Sequence, residues 1–166
     1  IPMNAPQRKI RVIVVDDHPL VRESLMVLLD RAGDIEVVGA AGSAEEAVEH
    51  SRKLKPDVLL MDIEMPGRSP FAVTRELHLE SDSPRVLFLS AFLTDSHVQE
   101  TLTLKGCGYM VKSASVGEIA EAVKANAGLA EAYGRMKDHL GVNGINLDET
   151  KAVLGLPLTV DPKSEL

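Results

Sequence analysis

The chain has 166 residues and a formal net charge of −7 at pH 7, which suits one domain with a further segment and argues against a basic nucleic-acid-binding face. Aromatic residues make up 3% of the chain and tryptophan is absent, so the core must be aliphatic. The chain has a single cysteine, Cys107, so it cannot form an internal disulfide, and we expect Cys107 to be a buried thiol. No apolar run approaches the roughly 18 residues of a membrane span, so we expect a cytoplasmic protein.

Short apolar strands and amphipathic helices alternate five times between residue 10 and about residue 127. The predicted strands cover residues 11–15, 35–41, 58–61, 86–90 and 108–111. Helix starts are marked by Pro19, by Asp95, and by the pairs Ser43–Glu46, Ser69–Pro70 and Ser115–Glu118. The strands are continuous apolar runs, as expected when both faces of a sheet are covered. The pattern therefore predicts an α/β fold with a doubly wound, five-stranded parallel sheet.

The chain divides into three segments. Residues 1–8 are predicted to be a cloning remnant and an N-terminal arm, because Ile1-Pro2 stands before Met3. Residues 9–127 form the α/β domain, whose third and fourth helices we expect to end near Leu79 and at Lys105. Residues 128–166 are predicted to be a helical extension and linker. Its apolar residues follow a coiled-coil spacing that leaves packing onto the domain and a dimer seam both open: Leu129, Tyr133, Met136 and Leu140.

Charged side chains follow three of the predicted strands. Asp16 and Asp17 follow the first strand, Asp62 the third, and Lys112 the fifth. Because ligands of an open parallel sheet bind beyond the carboxyl ends of its strands, these residues should converge on one site. Clustered carboxylates repel one another unless a cation lies among them. The cluster therefore predicts a site for a divalent metal and a phosphoryl group.

These fragments resemble the receiver domain of bacterial two-component response regulators over residues 9–127. The matching stretches are Asp-Asp at 16–17, Met-Asp-Ile-Glu-Met-Pro-Gly at 61–67, Ser-Ala at 90–91, and Lys112. The stretches 16–22 and 108–113 are most similar to the NarL/FixJ type, in which a LuxR-type output module is usual. The resemblance implies the flavodoxin-like (βα)5 receiver fold and a regulatory phosphoacceptor rather than an enzyme.

The resemblance also implies the phosphoacceptor and the metal ligands. Asp62 would accept the phosphoryl group from a histidine kinase. Mg²⁺, with Mn²⁺ as an alternative, would be bound by Asp17 and Asp62, by Asp16 through water, and by the backbone carbonyl of Glu64.

Three further roles follow from the same resemblance. Lys112 would pair with the acceptor carboxylate and then with the phosphoryl group. Ser90 would donate its hydroxyl to a phosphoryl oxygen, and Tyr109 would turn inward as that hydroxyl moves. Residues 91–127 would then shift between two packings and form the output face.

One residue of these loops departs from the usual family pattern, and two others are expected to modify the chemistry of the site. The Met-Pro-x-x-x-Gly pattern has Pro70 at its glycine position, so either the loop after Pro66 follows another path or Pro70 opens the third helix early. Glu64 and Phe92 flank the route of water to the phosphoryl group, so we expect them to tune its lifetime.

The predicted partner is a sensor histidine kinase. Whether a second copy of the chain is also a partner stays open. DNA would be bound only through a C-terminal module that this chain lacks. The sequence is expected to be cut before that module. No membrane contact is predicted. Two competing functions remain: a phosphorylation-independent interaction module, and a phosphatase with Asp62 as nucleophile. The second rests on a faint likeness to the Asp-x-Asp motif of haloacid-dehalogenase-type enzymes, whose nucleophile follows the first strand.

Overall fold

A computed structural model describes residues 7–127. Five strands and five helices alternate in this part of the chain. The strands are β1 (Ile10–Val15), β2 (Ile35–Ala41), β3 (Val58–Asp62), β4 (Arg85–Ser90) and β5 (Cys107–Val111). The helices are α1 (Pro19–Asp30), α2 (Ala44–Leu54), α3 (Pro70–Leu77), α4 (Asp95–Leu102) and α5, which runs from residue 116 to residue 127.

The five strands form one parallel sheet in the order β2-β1-β3-β4-β5. This confirms the predicted doubly wound sheet and matches the flavodoxin-like receiver order. The strand order reverses direction between β1 and β3, which are neighbours in the sheet with Val15 opposite Met61. A crevice opens at such a point, so residues that directly follow β1 and β3 lie where a ligand would bind.

Both faces of the sheet are covered by side chains from the helices. Successive residues of a strand point to opposite faces. Ile13 and Val15 accordingly belong to one core cluster, whereas Val12 and Val14 belong to the other. All four side chains are buried, which explains why β1 is a continuous apolar run rather than an alternating one.

Three of the predicted helix starts carry a serine cap, and at two of them, α2 and α5, a glutamate carboxylate also accepts from a backbone N–H at the helix start. At α5, the Ser115 Oγ accepts from the Glu118 N–H at 3.2 Å, and the Glu118 carboxylate accepts from the Ser115 N–H at 2.7 Å. At α2, the Ser43 Oγ accepts from the Glu46 N–H at 3.2 Å, while the Glu46 carboxylate accepts from the Gly42 N–H at 2.8 Å. Both helices therefore begin where the capping residues satisfy their free N–H groups.

The third helix begins at Pro70, as predicted, with the Ser69 Oγ accepting from the Ala72 N–H at 3.4 Å. It ends at Leu77 rather than near Leu79, whose side chain is 89% exposed and has no packing to hold another turn.

The fourth helix ends at Leu102 rather than at Lys105. The chain then turns through Gly106, at φ +71°, to enter β5. Glycine adopts this left-handed conformation readily, so the turn replaces the predicted last helical residues.

The predicted burial of Cys107 is confirmed. Cys107 is a buried free thiol, and its burial raises the pKa of the thiol to about 12, so it stays protonated at neutral pH.

Within residues 7–127, no helix is long and apolar enough to cross a membrane. The predicted seam between Leu129 and Leu140, like the rest of residues 128–166 and residues 1–6, lies outside the described residues.

Candidate functional site

Three acids and a histidine meet at the carboxyl ends of β1 and β3. One ligand atom from each of Asp16, Asp17, His18 and Asp62 lies within 4.8 Å of the others. The side chains of Asp16 and Asp62 are 1% exposed, whereas that of Asp17 is 26% exposed. The sheet therefore brings together the three acids that the sequence singles out, two of them buried and one facing solvent.

The turn after β1 is fixed by bonds to Asp16. The Asp16 Oδ1 accepts from the His18 N–H at 2.9 Å, and the Asp16 carbonyl accepts from the Arg22 guanidinium at 2.6 Å. The ring Nδ1 of His18 lies 3.1 Å from Asp17 Oδ1. No role was predicted for Arg22, although its position early in the helix that follows the paired acids is a usable signal.

Lys112 crosses from the end of β5 to the buried carboxylates. Its Nζ lies 2.9 Å from Asp16 Oδ2 and 3.0 Å from Asp62 Oδ2. The backbone N–H of Lys112 donates to the Ser90 carbonyl at 2.7 Å, which fixes the backbone from which the Lys112 side chain extends. Partial burial lowers the pKa of Lys112, but the contacts with Asp16 and Asp62 outweigh it and raise the pKa overall. Lys112 therefore remains charged between two carboxylates.

Asp62 lies at the centre of the cluster. Its Oδ1 accepts from the Glu64 N–H at 3.0 Å. Burial raises the pKa of Asp62 to about 6, against the opposing effect of Lys112. A group of this pKa is mostly ionised at neutral pH, yet retains affinity for a proton or another cation.

The carboxylate oxygens of this cluster are suitable ligands for a hard divalent cation. Among the described residues, Asp62 Oδ2 and Asp17 Oδ1 are buried oxygens without a hydrogen-bond donor in good geometry. Buried carboxylate oxygens of this kind need a cation or a donor to offset their lost hydration. Oxygen ligands are those that Mg²⁺ prefers, so Asp16, Asp17 and Asp62 could bind a metal ion.

A second group of contacts lies at the end of β4. The Ser90 hydroxyl is buried, donates to the Glu64 carboxylate, and lies 2.8 Å from the Phe92 carbonyl. The Ala91 N–H lies 3.2 Å from Glu64 Oε2 and 3.3 Å from Oε1. Partial burial raises the pKa of Glu64, but hydrogen bonds from Ser90 and Ala91, together with the neighbouring Asp62 carboxyl group, lower it overall. No sequence signal predicted these contacts, because the direction of the Glu64 side chain depends on the loop that carries it.

Tyr109 lies inward in this structure. Its side chain is 2% exposed, and its hydroxyl donates to the Phe92 carbonyl at 2.5 Å. The Phe92 side chain, in contrast, is 72% exposed, so the site uses the backbone of this residue. The predicted coupling of Tyr109 to Ser90 therefore has a physical connection, because both hydroxyls reach the same carbonyl.

Comparisons with known proteins show the family to which this chain belongs. Residues 12–124 match the response regulator receiver domain family. The chain belongs to this family. As a receiver domain, it is a regulatory module of a two-component response regulator, and the NarL/FixJ-like assignment is confirmed by the relatives.

Among curated proteins, the receiver domain is 35% identical over 116 residues to the transcriptional regulatory protein LiaR of Bacillus subtilis, covering 70% of this chain and 55% of the relative. It is 38% identical over 115 residues to the response regulator GacA of Pseudomonas viridiflava, covering 69% and 54%. The chain thus spans about half the length of the curated relatives it matches.

Solved structures give the same fold. The signal receiver domain of the response regulator NarL from Mycobacterium tuberculosis superposes with a TM-score of 0.68 at 34% identity. The match covers 72% of this chain and 97% of that one.

Proposed function

We propose that this receiver domain accepts a phosphoryl group on Asp62 from a sensor histidine kinase and thereby changes the packing of residues 91–127. The observation that carries this proposal is the position of Lys112, whose ammonium lies within 3.0 Å of the buried Asp62 carboxylate at the reversal point of the sheet. The positive charge makes the approach of a phosphoryl anion to a carboxylate less unfavourable.

The proposed transfer forms one bond and breaks one. An oxygen of the Asp62 carboxylate attacks phosphorus, and the P–N bond of the kinase phosphohistidine breaks. The electron pair of that bond stays on the imidazole nitrogen, and the ring, protonated on its other nitrogen, leaves as neutral imidazole. Lys112 then faces the phosphoryl oxygens instead of the carboxylate alone. Because the pKa of Asp62 is raised only to about 6, the nucleophile is mostly ionised at neutral pH.

Asp17 and Asp62 would hold Mg²⁺, or Mn²⁺, with Asp16 acting through water and the Glu64 carbonyl completing the protein ligands. When bound, the cation supplies neutralisation of charge on the transferring group. The support for this ligand set is the cluster of carboxylate oxygens within 4.8 Å of one another, in which one buried oxygen of Asp17 and one of Asp62 accept no hydrogen bond in good geometry.

The proposed signal starts at Ser90. A phosphoryl oxygen on Asp62 would accept from the Ser90 hydroxyl, which already shares the Phe92 carbonyl with Tyr109. A change at Ser90 would therefore alter the loop that starts α4 and, through it, the packing of residues 91–127. Glu64 and Phe92 would tune the lifetime of the phosphoryl group.

The wider assignment follows from the relatives. We propose that residues 9–127 are the receiver and residues 128–166 a helical extension and linker. LiaR is a transcriptional regulatory protein, which supports transcriptional output through a C-terminal DNA-binding module of a longer protein. The protein would act in the cytoplasm, where it meets the kinase, and a second copy of the chain is a further candidate partner.

Mass spectrometry of the intact protein tests this function. We expect one phosphoryl adduct after incubation with acetyl phosphate and Mg²⁺, loss of the adduct when EDTA is added first, and no adduct on Asp62→Asn. Steady hydrolysis of an external phosphomonoester would favour the phosphatase instead. A folded protein that binds Mg²⁺ and forms no adduct would favour the phosphorylation-independent interaction module.

A further inference from the structure

The Glu64 carboxylate lies on a pair of hydrogen-bond donors at the end of β4. The Ser90 hydroxyl donates to Glu64 Oε1, and the Ala91 N–H lies 3.2 Å from Glu64 Oε2. The two donors belong to successive residues and point at the same anion. A hydroxyl and a backbone N–H arranged in this way bind the oxygens of a carboxylate or of a phosphoryl group by the same hydrogen bonds.

This carboxylate is also close to Asp62. The Glu64 N–H donates to Asp62 Oδ1 at 3.0 Å, so this hydrogen bond holds the backbone of Glu64 against the Asp62 carboxylate. The Glu64 carboxyl group raises the pKa of Asp62, on which burial has the larger effect, and the Asp62 carboxyl group lowers the pKa of Glu64 against the opposing effect of burial. The anionic end of Glu64 therefore lies between the Asp62 carboxylate and the donors of Ser90 and Ala91.

We propose that the Glu64 carboxylate occupies the subsite that a phosphoryl oxygen on Asp62 would take, so that Glu64 competes with the phosphoryl group for Ser90 and Ala91. This inference rests on the proposed function, and it adds a regulatory contact to that site. Phosphorylation then exchanges one anion for another instead of filling an unoccupied pair of donors. The carboxylate must move away before the phosphoryl group can bind.

The same contact is connected to Tyr109. The Glu64 carboxylate accepts from the Ser90 hydroxyl, which lies 2.8 Å from the Phe92 carbonyl, and that carbonyl accepts from Tyr109 at 2.5 Å. An anion bound to Ser90 and Ala91 is therefore linked to Tyr109 and to the loop after β4 through the Phe92 carbonyl.

Two substitutions separate the charge of Glu64 from its shape. Glu64→Ala empties the subsite, whereas Glu64→Gln keeps an acceptor oxygen but removes the charge. Glu64 is exposed, so neither change should prevent folding. Glu49→Ala is the matched control, because it removes an exposed carboxylate from α2, away from the site.

The measurements are the initial rate of adduct formation with acetyl phosphate and the affinity for beryllofluoride, each with Mg²⁺ in excess. We expect Glu64→Ala to bind beryllofluoride about tenfold more tightly and to react correspondingly faster, since about one charge-assisted hydrogen bond no longer has to be broken. Glu64→Gln should lie between Glu64→Ala and the unsubstituted chain, and Glu49→Ala should match the unsubstituted chain. Initial rates exclude any change in the lifetime of the adduct.

The outcomes distinguish this inference from the function on which it rests. Equal rates and affinities in all four proteins, with adducts formed in each, would overturn the competition and leave the phosphoacceptor function intact. So would a gain in Glu64→Ala that is fully explained by tighter Mg²⁺ binding, measured separately by calorimetry. No adduct and no beryllofluoride binding in any of the four would overturn both.

Discussion

The two halves of the site are held in different ways. In the acidic half, formed by Asp16, Asp62 and Lys112, charged side chains follow strands and are joined by ion pairs of 2.9 and 3.0 Å. In the hydroxyl half, formed by Glu64, Ser90 and the Phe92 carbonyl, a single hydroxyl proton has two acceptors within reach. The acidic half has one arrangement of partners, whereas the hydroxyl half can exchange one partner for another.

This difference separates binding from response. A preformed cluster of charges at the sheet edge recognises a cation and an anion without rearrangement. The loop from Ser90 to the start of α4 is joined to the site by single hydrogen bonds to the Phe92 carbonyl rather than by ion pairs. A segment held by single hydrogen bonds changes its packing at lower cost than one held by buried ion pairs.

The largest effect should come from breaking the acidic half. Lys112→Ala leaves two buried carboxylates facing each other, so the free energy of unfolding at pH 8 should fall by about 3 kcal/mol in urea titrations with EDTA. Lys105→Ala, which removes an exposed lysine, should change it by less than about 0.5 kcal/mol. Added Mg²⁺ should restore more stability to Lys112→Ala than to the unsubstituted chain. Equal losses in both variants would mean that the ion pair is energetically unimportant.

The next effect isolates the charge of Asp62. Its pKa is higher in the folded chain than the ordinary 3.8, so the folded state binds the proton more tightly. The resulting stabilisation is complete below about pH 4 and is lost as the pH rises through about 6. Asp62→Asn avoids this loss and should therefore be more stable than the unsubstituted chain by about 2 kcal/mol at pH 8 without metal, after discounting for solvent screening at the open edge of the sheet.

Urea titrations of both proteins from pH 4 to pH 8 measure this difference. The gap between the two proteins should widen with pH. A gap that is constant across this range, or one of opposite sign, would show that Lys112 fully compensates the buried charge. The same titration of Asp17→Asn gives the matched comparison at a more exposed acid.

Metal affinity should follow the same ionisation. Binding of Mg²⁺ requires the unprotonated Asp62 carboxylate, whose pKa is about 6. Calorimetric titrations should therefore show affinity that is nearly constant above pH 7 and falls towards about tenfold per pH unit below pH 6. Asp17→Asn should bind more weakly but keep this pH dependence. A flat profile through pH 5 would place the metal away from Asp62.

The smallest effect concerns the hydroxyl half. Tyr109→Phe removes only the hydrogen bond to the Phe92 carbonyl, so it should cost about 1 kcal/mol of stability and leave Mg²⁺ affinity unchanged. Tyr109→Leu also removes buried ring atoms and should cost roughly twice as much or more. Chemical denaturation measures both. A change in Mg²⁺ affinity in Tyr109→Phe would contradict the separation of the two halves.

The sequence predicted the acidic half because its residues are tied to strand ends. Asp16, Asp62 and Lys112 each follow a buried apolar run, and parallel strands bring such positions to one edge. The same pattern predicted the sheet, while the helix ends at Leu77 and Leu102 depended on packing that a local pattern does not contain.

The hydroxyl half could be predicted only as a set of residue types. Ser90, Glu64 and Tyr109 were identified, but the contact of the Glu64 carboxylate with Ser90 and Ala91 depends on side-chain rotamers in two loops from different parts of the chain. The switching role of Tyr109 stays a prediction, and the contact of its hydroxyl with the Phe92 carbonyl likewise depends on the path of the loop after β4. Loop side chains make contacts that no sequence period encodes.

The central claim is that Asp62, and not one of its acidic neighbours, carries the phosphoryl group. Borohydride reduces an aspartyl phosphate to homoserine, so peptide sequencing by mass spectrometry after reaction with acetyl phosphate and Mg²⁺ identifies the modified residue. The account predicts homoserine at position 62 alone. Homoserine at position 16 or 17, or none in protein that has taken up phosphate, would contradict it.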